Sequence, residues 1–224
     1  MALPAQEAQL TERRLFLIRH GQSDFASADF RESPRGRQWD PGLGEEGRRQ
    51  AELLASRLLT LERHPAAVYS SPFRRCLETI GPYLRAAGIE AAEEEDIGEV
   101  FTGEWEGKSF EEIVSADEEL ARRFRDQEAM FSMSPGGESG PDLRKRVESA
   151  IEGIISGHPE GDLVVVAHGG VINAYLGNVL GIHDQDMFFL PENTSVNTVV
   201  LSGERRRIRF MNDVRHLTDP GAFK

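Results

Sequence analysis

The sequence predicts an α/β fold, a three-layer α/β/α sandwich built on a mainly parallel sheet with helices on both faces. Three observations carry that expectation. Short apolar runs alternate with longer stretches of helical periodicity along the chain. The runs LFLI at 15–18 and LVVVA at 163–167 are apolar without a break, as strands covered on both faces are. Three of the runs end in polar residues, and open α/β sheets bind their ligands beyond the carboxyl ends of the strands.

Taken in order, residues 1–14 read as a loose N-terminal arm and 15–224 as one domain, because no repeat, linker or composition shift divides the chain. LFLI is the first strand. After a loop rich in glycine, proline and charge, 45–61 reads as a helix with Ala51, Leu54, Leu58 and Leu61 on one stripe. AAVYSS at 66–71 is a second short strand. The helix over 73–88 stops at Gly88, which accepts the left-handed turn that ends helices. A third strand is expected near 89–92. Two helical patterns occupy 109–131, and the region of about 100–140 reads as a cap or side insertion. SPGGES at 134–139 is a loop whose Ser139 can start the helix over 142–155. The run at 163–167 exits into His168, Gly169 and Gly170 and is followed by a helix, and two β-rich pieces, 193–203 and 205–213, close the chain.

At 224 residues, 39% hydrophobic and 29% charged, the chain can bury one substantial core. Its net charge of −12 argues against a general nucleic-acid or anionic-membrane binder, since both demand an extended basic surface. Only Arg205, Arg206 and Arg207 run together, and the alternation of Ile208 and Phe210 after them reads as a solvated strand face. No apolar run approaches the roughly 18 residues needed to span a bilayer. The first residues lack the apolar stretch of a signal peptide, so a cytoplasmic location is expected. A single cysteine, Cys76, excludes an intrachain disulfide. A homodimer is a permitted assembly.

The chemistry gathers at three strand ends. The first delivers Arg19, His20 and Gly21, the second Ser70 and Ser71 followed by Arg74 and Arg75, and the last His168, Gly169 and Gly170. Brought together, they set two imidazoles beside arginines in an acidic protein, a combination suited to a small dianion. A guanidinium stays charged at any working pH and grips phosphate oxygens in a fork. A neutral imidazole can attack phosphorus, and a protonated one can stabilise charge on the oxygens. One histidine at a strand end is commonly structural, and a lone arginine is commonly an ion-pair partner. Two histidines that each end an apolar strand and each precede glycine point to an anion site. Competing motifs fail: GEWEGKS at 103–109 lacks the spacing of a phosphate loop, and the position six after Cys76 is Pro82, not the arginine a cysteine phosphatase needs. No metal-ligand motif occurs, so no metal and no cofactor are expected.

These strand ends sit inside longer stretches: ArgHisGly after the first strand, SPFRRCLET, GEVFTGEWEG, PGGES and VVVAHGGVI. In order and spacing they resemble the successive motifs of the histidine phosphatase superfamily, the phosphoglycerate mutase-like proteins, from about Leu15 to about Leu201. The resemblance implies a phosphoglycerate mutase-like fold and a metal-independent phosphomonoesterase of the histidine acid phosphatase type, whose partner is a small-molecule phosphomonoester. His20 matches the nucleophile that becomes phosphohistidine, and Arg19 the arginine before it. Arg75, not Arg74, matches the phosphate-binding arginine, and His168 the second pocket histidine. Glu99 matches the glutamate that protonates the leaving oxygen and then activates water; only the family register separates it from Glu93, Glu94, Glu95, Asp96, Glu104 and Glu106. Gln22 and Ser23 continue the first motif and are expected to touch phosphate oxygens or the substrate. Gly21 and Gly169 are expected to let backbone amides approach the phosphate. The mechanism calls for a neutral His20, a cationic His168, and a Glu99 with its pKa raised toward about 6–7.

Two departures matter. The family's asparagine a few residues after the first motif is Ala26 in the ungapped register, and GEWEGKSFEEI resembles the hydrolytic branch, not the mutases. The alternatives are a phosphoglycerate mutase, which shares every catalytic residue and transfers phosphate through a bisphosphate, and a catalytically silent phosphate- or protein-binding module. The residues Phe101, Trp105, Phe110, Phe124, Met130, Phe131 and Met133 read either as a local core under a lid or as walls of a leaving-group pocket for an organic phosphomonoester.

Overall fold

The computed structural model describes residues 12–218 other than 28, 116, 127 and 129. In chain order the elements are β1 (Arg13–Arg19), β2 (Phe30–Ser33), β3 (Gly36–Trp39), α1 (Glu45–Leu58), β4 (Ala67–Ser70), α2 (Arg74–Ala87), β5 (Ala92–Glu93), α3 (Phe110–Ser115), α4 (Glu118–Arg125), α5 (Gly140–Gly157), β6 (Leu163–Ala167), α6 (Gly169–Leu180), β7 (Val196–Ser202), β8 (Arg205–Asp213) and α7 (Arg215–Thr218). Six strands form one sheet in the order β5-β4-β6-β1-β7-β8, with β5, β4, β6 and β1 mutually parallel and β7 antiparallel to both of its neighbours, β1 and β8. The expected sandwich is therefore present with a mixed edge.

The run at 15–18 is apolar throughout because it serves both faces. Leu15 and Leu17 pack with α5 and α6, through Val147, Ile151, Ile172 and Leu176, whereas Phe16 and Ile18 pack with α1 and α2, through Leu54, Leu58, Cys76 and Ile80. Successive strand side chains point to opposite faces, so every position of a central strand must be oily. β6 obeys the same rule, with all five residues buried.

Several boundaries differ from the periodicity. Residues 1–11 of the expected arm lie outside the described residues, and Arg13 and Arg14 already belong to β1, where the Arg14 N–H and guanidinium bond Asp162. The third strand is shorter and later than expected, because the Ile89 N–H still bonds the Leu84 carbonyl as α2 unwinds through Gly88 at φ 65°. Residues 30–39, read as loop, form the β2–β3 hairpin; its strands are exposed or half-buried and mostly polar, and the one residue they bury, Gln38, is polar too, so they carry no oily signature. Ser139 caps α5 as expected, accepting from the Asp142 N–H. The basic run lies on the outer strand β8, where Arg206 pairs with Glu152 at 2.6 Å and Arg207 with Glu12. Among the described residues no helix is long and apolar enough to cross a membrane.

One close approach positions the site. α1 crosses directly beneath the turn after β1, and a Cβ on Gly47 would stand 2.0 Å from the Gln22 carbonyl oxygen. Backbone cannot yield as a flexible side chain does, so Gly47→Ala is expected to cost about 1–3 kcal/mol of stability. A lower urea midpoint at unchanged m-value would record it.

Candidate active site

β1 and β6 are parallel neighbours with Arg19 opposite Ala167, and β4 flanks β6 with Ser70 opposite Val166. β1 and β6 thus finish level and β4 one residue short of them, and the residue after each emerges at the same edge. The His20 N–H bonds the Ala167 carbonyl at 3.0 Å and the Ser71 N–H bonds the Val166 carbonyl at 2.9 Å, extending the ladder by one rung. Two histidines far apart in the chain are thereby forced together: the rings of His20 and His168 lie 5.2 Å apart, inclined at 61°.

The backbone around His20 fixes its tautomer. Nδ1 lies 2.8 Å from the carbonyl of Gly21, an acceptor only, so Nδ1 carries the proton and donates it, leaving the Nε2 lone pair free. The His20 carbonyl accepts from the Asn193 side chain at 3.0 Å and from the Thr194 N–H at 3.2 Å. Thr194 holds a left-handed φ of 58°, a conformation that costs a β-branched residue of the order of 1–3 kcal/mol. His216 supports it: Arg57 donates to Nδ1, and Nε2–H donates to the Thr194 hydroxyl at 2.9 Å. Burial and the Arg57 charge lower the His216 pKa to about 4 and keep that ring neutral.

Positive charge comes from Arg19 and Arg75, both withdrawn from water. Arg75 lies over the Phe73 ring at 4.6 Å, and Phe73 in turn meets the His168 ring edge-on at 4.9 Å. Arg19 donates through Nη1 to the Pro191 carbonyl, while its Nε is buried with no partner among the described residues. A buried guanidinium N–H left open is costly unless something binds there. Burial, reinforced by the two arginines, holds the pKa of His20 and of His168 well below the usual imidazole range. Glu99 is shifted the other way: burial raises its carboxyl pKa, opposed by the N–H groups of Val100 and Gly170 and by the nearby arginines. Its loop is clamped by Arg146 of α5, which donates to the carbonyls of Asp96 and Gly98 and pairs with Glu138.

The sequence-derived candidates separate at this point. Arg19, His20, Arg75, Glu99 and His168 converge. Arg74 faces outward, paired with Asp29 at 2.6 Å. The expected cationic form of His168 is opposed first by its burial and then by the neighbouring Arg75 and Arg19 charges, which hold its pKa well below the usual imidazole range. The Gly21 amide is not available to a ligand, being given to Thr79 Oγ1 at 2.9 Å; a Cβ on Gly21 would sit 2.8 Å from the Gly47 carbonyl oxygen, so its bareness serves the contact with α1. At Gly169 a Cβ would make only ordinary contacts, whereas at Gly170 it would sit 2.6 Å from Glu99 Oε1; the second glycine makes room for the acid. Gln22 is exposed, with its N–H on Gln50, and Ser23 is buried in a bridge to Leu43. Ala26 is exposed in a turn. The Cys76 thiol is fully buried and pushed up to about 12, which leaves it unreactive.

Beside Arg19 and Glu99 opens a cavity of about 620 Å³. Met130 and Phe131 form one wall, and Met187, Phe189, Leu190 and Pro191 another. The aromatic and methionine set of residues 101–133 therefore divides. Phe101 packs under the hairpin against Gly36, Met130 and Phe131 line the cavity, and the side chains of Phe110 and Phe124 lie outside the described residues. The second wall went unread in the sequence, although MFFLP at 187–191 is an apolar run before a proline that belongs to no helix or strand.

Comparison with known proteins agrees with this geometry. The chain is 37% identical over 161 residues to a bifunctional protein of Mycobacterium tuberculosis, an alignment covering 72% of this chain and 42% of the relative, so the match spans less than half of that longer protein. It is 31% identical to phosphoserine phosphatase 1 of Hydrogenobacter thermophilus over 209 residues, 91% of this chain and 94% of the relative. Its structure is similar to that of YhfR from Bacillus stearothermophilus, with a TM-score of 0.78 at 26% identity, covering 92% of this chain and 99% of the other. The family model described as histidine phosphatase superfamily (branch 1) matches residues 15–214, the span that holds both histidines, both arginines and Glu99, and the chain belongs to that family.

Proposed function

We propose that this chain hydrolyses small-molecule phosphomonoesters through a phosphohistidine on His20. The observation that carries the reading is the pair of imidazoles 5.2 Å apart, one of them held as the tautomer with a free Nε2, beside the buried guanidinium of Arg75 and the half-buried one of Arg19. In the first step the Nε2 lone pair forms a bond to phosphorus as the ester P–O bond breaks, and Glu99 gives its proton to the departing oxygen. Arg19 and Arg75 neutralise charge on the equatorial oxygens. A dianion beside His168 offsets the arginine field and favours the imidazolium, so the substrate itself supplies the condition for that ring to become cationic. In the second step the Glu99 carboxylate takes a proton from water as the water oxygen bonds phosphorus. The N–P bond breaks and its electron pair returns to Nε2.

Glu99 fits both roles because burial raises its pKa and so favours the acid form needed for the first step, while the N–H groups of Val100 and Gly170 and the arginines support the carboxylate needed for the second. The apolar walls beside the anion site favour hydrolysis of one monoester over a mutase reaction, which must hold a second charged group of a bisphosphate. The relative named phosphoserine phosphatase 1 supports a phosphatase reading. Rapid acid-free quenching with a ³²P-labelled monoester tests the proposal: the chain should trap base-stable, acid-labile label, and His20→Ala should trap none. Label persisting in that variant refutes the assigned nucleophile.

A further inference from the structure

The cavity beside the anion site is built, not incidental. Its two walls are tied together by Asp186, whose carboxylate accepts from the N–H groups of Met130 and Phe131 at 2.7 Å each. The second wall is fastened to α6 by Asn173, which both donates to the Phe189 carbonyl at 3.0 Å and accepts from the Phe189 N–H at 3.2 Å. Apolar side chains on both walls are therefore held facing a common space by buried polar anchors, so little ordering remains for a ligand to impose.

Polar groups able to recognise a small zwitterionic leaving group are scarce there. The Thr102 hydroxyl is given to Glu106 at 2.8 Å. Glu128 at the rim is held by Arg122 through contacts of 2.8 and 3.1 Å. Glu99 is committed to the leaving oxygen. That leaves Arg125, exposed at the mouth and without an ion pair among the described residues. Among the described lining residues the two carboxylates, Glu99 and Glu128, are both engaged, which leaves none to pair an α-ammonium group, and a serine side chain fills only a small part of about 620 Å³. Leu190, 68% exposed, extends the apolar surface outward to the rim.

We propose that this cavity selects monoesters whose leaving group is a sizeable apolar alcohol or phenol and discriminates against amino-acid esters such as phosphoserine. The proposal rests on the hydrolase reading and narrows it. Each methylene moved from water onto the walls should raise kcat/KM about 4-fold until the space is filled, the factor that corresponds to burying one CH₂.

The test is a homologous series of n-alkyl phosphates from ethyl to hexyl, with O-phospho-L-serine and an aryl phosphate alongside, measured by phosphate release. The matching n-alkyl phosphonates, which cannot be hydrolysed, are titrated by calorimetry. Rising kcat/KM with chain length, tightening phosphonate affinity, and a rate on phosphoserine at least about 10-fold below hexyl phosphate support the proposal. Leu190→Asp, at an exposed position that the fold does not need, should flatten the rise in both assays. A flat series, or phosphoserine turned over faster than hexyl phosphate, overturns the proposal and leaves the hydrolase reading standing. No phosphate release from any ester overturns both.

Discussion

His20→Asn will lower kcat/KM by about 10⁴-fold or more, the scale on which loss of a covalent nucleophile is felt. Asparagine is the informative replacement, because its amide can still donate to the Gly21 carbonyl and so preserves the bond that orients the native ring. What it removes is the Nε2 lone pair. The arginines stay in place, so inorganic phosphate should inhibit the variant with an unchanged constant, within about 3-fold. The two readouts together separate a lost nucleophile from a collapsed site. Activity retained within 10-fold of the parent would show that another group attacks phosphorus.

Glu99→Gln will lower turnover of alkyl phosphates by about 10²–10⁴-fold, the usual contribution of a general acid–base group. Glutamine can neither protonate the leaving oxygen nor deprotonate water. With an acidic phenol as leaving group, the first of those tasks matters little. The variant should then release a burst of phenol equal to the enzyme present and stall as phosphoenzyme. The pH profile follows from the direction of the shifts. His20 is held well below its usual pKa and stays neutral into mild acid, whereas Glu99 is raised and must be protonated for the first step. The parent kcat/KM should therefore fall as pH rises through the raised Glu99 pKa, and that alkaline limb should vanish in the variant. A limb that survives unchanged would assign the acid to another residue.

The motif stretches of the sequence carried the candidate site to the level of named residues, but not to their states. Arg75 and Arg74 are adjacent and chemically identical. They part because a helix turns consecutive side chains by 100°, so that one faces the sheet edge and the other Asp29. Glu99 stands in a stretch crowded with carboxylates. Its distinction is spatial, set by Arg146 holding the loop and by the missing side chain at Gly170. The charge state of His168 lay beyond reach, since it depends on how many cations share a dry pocket. The hairpin at 30–39 escaped for the opposite reason: its residues bury little, and periodicity reports burial.

By itself the sequence determined the layered architecture, because an unbroken apolar run demands cover on two faces, and it determined which groups emerge at the strand ends. Only the tertiary structure decided that parallel register brings His20 level with His168 and sets Ser71 one residue behind them at the same sheet edge, and that the anchors Asp186 and Asn173 turn two apolar segments toward that edge. Register and wall placement arise from contacts between residues distant along the chain, and a local pattern has no means of encoding which distant partner its polar atoms will find.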